Sequence, residues 1–307
     1  AHCDYQFVRI QSYIDEVEKV VFEESFEHST VIREPVGVVG CITPWNYPIG
    51  QIVQKVIPAL LTGNTVVLKP NQSTPLTACL MMEAFRLADF PKGVVNLVSG
   101  RGSRAGAELA LNPKVAMISF TGSTAVGVSL SQQALKTVKR ISLELGGKSP
   151  CVWLPDLPDY RPAVKPLFNS IFLNSGQTCT ALSRLIVPKA RLAEVEKLLQ
   201  DHVKDYPVGD PFDPKVLIGP MASRQQFETV KSYIELGVKE GARLLAGSIP
   251  EEPGAHEKGW FIQPTIFTDV KNDMRIAREE IFGPVLCVIA YDTVDDCLLY
   301  TSPSPRD

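Results

Sequence analysis

From residue 36 to residue 145 short apolar runs alternate with amphipathic ones, and this alternation limits the possible fold more than any other feature of the chain. The runs at 36–42, 65–69, 94–98, 115–120 and 140–145 are short, carry Val, Ile, Leu or Phe, and have Gly or Pro within two residues of an end, the pattern of strands. Between them, 49–61, 75–88, 103–111 and 124–137 space their apolar residues as helices do. Single helices between strands require crossover connections and therefore parallel pairing, and strands apolar along their length require a sheet covered on both faces. The expected fold is α/β: a doubly wound, mostly parallel sheet of the nucleotide-binding kind.

The flanks extend this reading. Residues 8–23 have helical spacing at Ile10, Ile14, Val17, Val20 and Val21 and read as the end of an amphipathic helix, while 26–35 reads as an edge strand or hairpin arm. A second α/β unit is expected, with strands at 150–154 and near 185, 244, 265 and 286. Its helices are expected near 160–174, 190–205 and 223–240, and 248–259 reads as a Pro/Gly/Glu-rich surface loop. The helix opening at Val294 runs towards Ser-Pro-Ser-Pro, which a helix cannot follow, so 297–307 reads as a non-native tail. The expected divisions are 1–19, the end of a helical part; 20–34, a strand or hairpin; 35–146, an α/β domain of the nucleotide-binding kind; 147–296, the second α/β unit; and 297–307.

Several function classes are excluded at this level. With 307 residues, 45% hydrophobic and 21% charged, the chain is ordinary globular material for two domains. A net charge of -3 gives no case for nucleic acid or a membrane surface. The seven cysteines are odd in number, scattered, and form no CxxC or Cys/His cluster, so neither a disulfide framework nor a metal site is expected. A reducing, cytoplasmic setting follows as the expectation.

Chemistry concentrates in a few loops. The stretch 174–184 (NSGQTCTALSR) sets Cys179 among small polar residues before an apolar strand, where a thiol is presented on a turn; a buried space-filling cysteine is the alternative. Gly100, Gly102 and Gly106 make a GxGxxxG turn, one residue longer than the dinucleotide fingerprint and equally readable as a plain strand-to-helix turn. Gly122 and Ser123 in FTGST are the better phosphate turn, with Ser and Thr able to cap the following helix. Glu144 and Asn46 each end a strand at the edge where open α/β sheets bind ligands. The first reads as a general base or a solvated acid, the second as an oxyanion donor or a turn residue.

Taken together and in order, TPWNYP, VVLKP, FTGST, ELGGKSP, GQTCTALSR and EEIFGPV resemble the NAD(P)-dependent aldehyde dehydrogenase superfamily over about residues 10–296. Within it the closest likeness is to the hydrolytic, non-acylating type. The resemblance implies Cys179 as nucleophile, Asn46 as oxyanion donor, Glu144 as base for the hydrolytic water and Lys55 in proton relay. It implies cofactor contacts at Thr43, Pro44, Trp45, Lys69, Gln72, Gly102, Gly106, Phe120, Gly122, Ser123, Leu145, Gly146, Glu280 and Phe282. Tyr47, Gln54, Thr178 and Thr180 fall at the family's pocket mouth. Gln72 stands where many NAD-preferring members carry Glu, so the implied cofactor is NAD or NADP. The implied partners are a small-molecule aldehyde and further copies of the chain, as dimer or tetramer in the full-length protein. The likeness also implies an interior fragment, truncated at both ends. A CoA-acylating relative and an inactive fragment that keeps cofactor binding are the alternatives.

Overall fold

The structure is a computed structural model and describes residues 2–251 and 259–299. The chain divides into two compact units, Ala1–Leu145 and Gly146–Asp307. The first opens with α1 (His2–Val17) and a two-stranded antiparallel hairpin, β1 (Glu23–Phe26) and β2 (Ser29–Ile32). The helix expected over 8–23 therefore stops at Val17. Beyond it Val20, Val21 and Phe22 are exposed, and this β-branched and aromatic run suits extended backbone better than a further helical turn. Phe26, Val31 and Ile32 on the hairpin are exposed too.

Next come β3 (Val38–Ile42), α2 (Pro48–Leu61), β4 (Thr65–Lys69), α3 (Pro75–Leu87), β5 (Val95–Leu97), α4 (Ala107–Leu111), β6 (Met117–Thr121), α5 (Thr124–Ala134) and β7 (Arg140–Glu144). The strands pair in parallel in the order β5-β4-β3-β6-β7. After β3 the chain builds to one side through β4 and β5, then crosses back to build β6 and β7 on the other. The reversal falls between β3 and β6, and there the loops leaving the carboxyl ends of those strands diverge and open a crevice. Strand alternation sorts the core. Val39, Cys41, Val66 and Leu68 pack with Ile52 and Val56 of α2 and Ala78 and Phe85 of α3. Ile42, Ile118 and Phe120 pack with Leu109, Ala110 and Leu130 on the other face.

The additional residue of the GxGxxxG turn is taken up by a single π-helical turn, Gly102–Gly106, before α4 begins. Such turns accommodate one residue more than an α-helical turn without breaking the helix.

The second unit contains β8 (Pro150–Val152), α6 (Arg161–Phe172), β9 (Arg184–Pro188), α7 (Leu192–His202), α8 (Arg224–Lys239), β10 (Arg243–Ala246), β11 (Thr265–Thr268), α9 (Arg275–Arg278), β12 (Val285–Tyr291) and α10 (Val294–Leu299). Its sheet runs β10-β11-β12-β9-β8, with β10 as the antiparallel edge. Leu185, Val187, Leu286 and Val288 pack on α6 and α7, whereas Phe267, Val285, Cys287 and Ile289 pack on α8 and α9. The helix opening at Val294 continues through Leu299, and Cys297 is buried against Ile186 and Tyr291, so the boundary expected at 297 falls inside an element. Residues 300–307 of the expected tail, and 252–258 of the expected surface loop, lie outside the described residues. Among the described residues no helix is long and apolar enough to cross a membrane, and no His/Cys/Asp/Glu group could hold a metal ion.

Candidate active site

In the first unit the sequence-implied residues lie in the carboxyl-terminal part of a strand, in the connection that follows it, or on the next helix. Thr43, Pro44, Trp45 and Asn46 form the loop between β3 and α2, and Pro48 starts that helix at a position where its missing N–H costs nothing. The Thr43 backbone N–H donates to the Lys69 carbonyl (3.1 Å), tying the ends of β3 and β4 together. Lys69 is buried, its ammonium donating to the Pro70 carbonyl (2.8 Å), and burial lowers its hold on the proton. Gly106 lies beside it: a Cβ there would stand 3.9 Å from Lys69 Cδ and 4.0 Å from Ile42 Cδ1. Gln72 is exposed in the turn after Pro70, and Gly102 is exposed at the start of the π-helical turn.

Gly122 and Ser123 join β6 to α5. The Gly122 N–H donates to the carbonyl of Glu144 (3.1 Å), fastening the phosphate-turn candidate to the end of β7. Ser123 holds the helix-cap position, yet its hydroxyl makes no cap hydrogen bond, contrary to the capping expected from sequence. Phe120 is buried in the core, and a Cβ on Gly122 would stand 2.5 Å from its ring, so the Phe120 side chain packs beneath this turn. Leu145 fills the space against Gly127 of α5, where a Cβ would meet it at 2.7 Å. Glu144 is exposed at the end of β7. Lys55 is buried on α2 and donates to Ser119 Oγ (3.3 Å); burial lowers its proton affinity, opposed by Cys41 and Glu144.

The second unit presents its candidates before strands. Helix α6 ends at Phe172 rather than at 174, and Asn174, Ser175 and Gly176 follow in left-handed conformation, with φ of 52°, 57° and 76°. Two of the three carry side chains, for which this region is costly. The loop that pays this cost is over-determined. A Cβ on Gly176 would collide with the Gly283 carbonyl group and stand 2.6 Å from Pro284 N, so the loop lies directly on the backbone of EEIFGPV. Ser175 Oγ donates to the Gly219 carbonyl (2.9 Å), and Gln177 accepts from Ala222 N–H (2.9 Å) while donating to the Asn174 carbonyl (2.9 Å). Thr178 Oγ1 donates back to Leu173 (3.2 Å). Cys179 emerges half-buried from this frame, with Thr180 exposed beside it. A Cβ on Gly147 would be 3.9 Å from the Cys179 carbonyl oxygen, which puts the ELGGKSP backbone against the thiol's own.

The structure separates two acids that sequence presents as a pair. Glu279 is held at the surface by Arg275 (2.7 and 2.9 Å) and Tyr233 (2.8 Å), and burial together with Glu279 pushes the Tyr233 hydroxyl up to about 12. Glu280 turns inward. Its Oε1 is buried without a hydrogen-bond partner among the described residues, and burial raises its proton affinity against the Gly147 N–H and Lys148. A Cβ on Gly146 would collide with the Glu280 carboxylate, so this glycine makes the seat for that side chain. Phe282, next along, is a non-glycine residue at φ 59°, and its carbonyl accepts from Gln226 (2.8 Å). Gly147, Thr178, Glu280 and Phe282 border one small cavity of about 10 Å³, the room of about one water.

Sequence reasoning passed over two residues that the structure puts beside these candidates. Lys148 is buried in ELGGKSP with no hydrogen-bond partner for its amine among the described residues, and Ser119 accepts from Lys55. Ser119 had a signal, a hydroxyl in the middle of an apolar parallel strand.

Residues 5–301 match the model of the aldehyde dehydrogenase family. The chain belongs to that family. It is 48% identical over 283 residues to 3-succinoylsemialdehyde-pyridine dehydrogenase from a Pseudomonas species, covering 92% of this chain and 59% of the relative. Among solved structures it resembles a cysteine-to-alanine mutant of aldehyde dehydrogenase C from Pseudomonas syringae in complex with NAD+ and octanal. There the TM-score is 0.91 and the identity 43%, over 96% of this chain and 61% of the other. It also resembles an aldehyde dehydrogenase from Mycobacterium tuberculosis complexed with NAD+, with TM-score 0.89 and identity 41% over 95% and 61% of the two chains. The chain thus spans about 60% of the length of such relatives.

A dinucleotide can be tested against these residues. Thr43 Oγ1 is buried without a partner among the described residues at the carboxyl end of β3, beside the strand-order reversal. Gly106 stands at the start of α4 and Gly122 two residues before α5, the kind of turn into a helix that can receive a phosphate. Glu280 offers an unsatisfied carboxylate oxygen, the acceptor a ribose hydroxyl needs. The donor set of each unit fits the group.

Proposed function

We propose that the protein containing this chain oxidises an aldehyde to a carboxylate with a nicotinamide dinucleotide and water. The observation that carries the proposal is the Cys179 loop, in which three consecutive left-handed residues, the last of them a glycine pressed on Gly283, hold one thiol-bearing turn. Backbone strain of this kind persists only where the surroundings over-determine it, and functional sites are where it collects.

In this reading Cys179 Sγ, as the thiolate, adds to the aldehyde carbon and gives a thiohemiacetal. The Asn46 amide and the Cys179 backbone N–H donate to the oxyanion that forms. When bound, the dinucleotide supplies the oxidised nicotinamide ring that accepts a hydride. Glu144 removes a proton from water as the water oxygen adds to the thioester carbon; the carboxylate departs and the Cys179 sulfur leaves as thiolate. Lys55 relays that proton onward, a task suited to an amine whose burial weakens its hold on the proton.

Lys69, Gly102, Gly106, Gly122, Ser123, the 43–45 loop, Leu145 and Gly146 are assigned to the dinucleotide, and Glu280 and Phe282 to its nicotinamide riboside. The NAD+ complexes among the structural neighbours support NAD. The neutral side chain of Gln72 does not repel a 2′-phosphate, so NADP is accepted too. Saturation curves with each nucleotide decide this, and failure to use NADP+ rejects it. We further assign the complete protein to the cytoplasm, as a dimer or tetramer joined through the exposed 20–34 hairpin; light scattering that returns a monomer rejects that assembly.

The test is NAD(P)H formation by the full-length protein with a panel of aldehydes, with and without CoA, for wild type and Cys179→Ala. Turnover without CoA that falls by about three orders of magnitude or more in the variant is expected. Full activity of the variant would remove Cys179 from the mechanism, and strict dependence on CoA would replace hydrolysis by acyl transfer to CoA.

A further inference from the structure

On the face of the first sheet that meets α2 and α3, β3 contributes Val39 and Cys41 and β4 contributes Val66 and Leu68, all buried. The alternation of β6 puts Ile118 and Phe120 on the opposite face, so Met117, Ser119 and Thr121 fall on this one. Register sets Ser119 between Cys41 of β3 and Ser142 of β7. Helix α2 answers the two hydroxyls. Thr121 Oγ1 donates to Gln51 Oε1 (3.1 Å), and Lys55 Nζ donates to Ser119 Oγ (3.3 Å). Four residues of helix advance about 6 Å and two residues of strand about 6.7 Å, so two rungs can form in step between antiparallel elements.

Lys55 is only 7% exposed, and an amine there needs a polar neighbour in either protonation state. A hydroxyl suits both. It offers lone pairs to an ammonium, and its own O–H can donate to the lone pair of a free amine. A carboxylate in its place would hold the ammonium fast, and a methyl group would leave the nitrogen unpartnered. We propose that Ser119 is a positioning residue for Lys55, its hydroxyl accepting from the ammonium and donating to the free amine, so that the nitrogen keeps one place while its proton is exchanged.

The proposal rests on the relay role given to Lys55 above. The titratable groups acting on this amine are Cys41 from β3 and Glu144 from β7, and Cys41 is itself pushed up to about 12 by burial. On the side of α1, Gln6 and Arg9 approach α2 at Gly50, more than a helical turn away.

The experiment is a pH titration of Lys55 by NMR in the chain itself, carrying isotopically labelled lysine, without aldehyde or cofactor. The resonance is assigned by its loss in Lys55→Arg. Ser119→Ala is expected to move the Lys55 midpoint to lower pH, because the charge-assisted bond lost by the ammonium is stronger than the neutral bond lost by the free amine, while Ser119→Thr keeps the wild-type midpoint. Should Ser119→Ala fail to fold, Ser119→Cys, which keeps the volume but weakens the acceptor, is read in the same way. An unchanged midpoint in the variant lacking the hydroxyl overturns the proposal, as does an equal shift in Ser119→Thr. Since the reading needs no turnover, its failure leaves the Cys179 and Glu144 assignments standing. Full turnover of a Lys55→Met variant of the complete protein would remove the relay and leave the Ser119 contact intact.

Discussion

The two units build similar five-stranded sheets and use opposite ends of their strands. In the first, the 43–46 loop, Lys69, Gly122, Ser123 and Glu144 all sit at or after carboxyl ends. In the second, Gly146 and Gly147 precede β8, Cys179 precedes β9, and Glu280 and Phe282 precede β12. The first arrangement is generic, because any parallel sheet with a strand-order reversal opens a crevice at its carboxyl edge. The second has no such rule behind it. Its loops are shaped residue by residue, and left-handed Asn174, Ser175 and Phe282 record the cost.

If this contrast is right, small substitutions should be felt more in the second unit than in the first. The largest effect is expected from Gly176→Ala, where a left-handed backbone and the collision with Gly283 leave nothing flexible to give way. A loss on the order of 3 kcal/mol in urea denaturation is expected, and an effect below about 0.5 kcal/mol would show that the loop adapts after all.

Glu280→Gln probes the buried acid beside that loop. The folded state raises the Glu280 proton affinity, so it binds the proton more tightly than the unfolded chain does. The ionised side chain therefore costs stability once pH rises through the folded midpoint, and the cost vanishes below the unfolded value near 4.5. The glutamine variant should melt higher than wild type at neutral pH and lose that advantage as pH falls towards 4.5. A difference in melting temperature that does not change with pH would contradict the burial argument. The smallest effect is expected in the first unit. Gly106→Ala adds a methyl at ordinary contact distance in right-handed backbone, and should stabilise the chain by about 0.5 kcal/mol. Destabilisation there beyond 1 kcal/mol would blur the contrast between the units.

The same contrast explains what was legible in the sequence. The first sheet could be read strand by strand, because 36–42, 65–69 and 115–120 are apolar runs with Gly or Pro within two residues of their ends, each followed by helical spacing. The Cys179 loop could be found but not shaped. Asn174 continues the helical pattern of 160–174, and only the contact of Gly176 with Gly283, more than a hundred residues later, shows why the chain must turn left-handed. Glu279 and Glu280 differ in burial and partners, which adjacent identical letters cannot express. Gly146 was assigned to a cofactor by resemblance, and its lack of a side chain is explained in this structure by the carboxylate of Glu280. Ser119 was visible as a hydroxyl in an apolar strand, and its meaning appeared only with Lys55 opposite it.

The central claim is that a thioester forms on Cys179 and that Glu144 is needed to hydrolyse it. The most direct measurement is rapid quenching of full-length Glu144→Gln protein mixed with aldehyde and NAD+, followed by mass spectrometry of its peptides. The account predicts about one acyl group per chain, on the peptide containing Cys179, alongside a single burst of NADH. A burst with no acyl group on that peptide, or acylation at another residue, would contradict it.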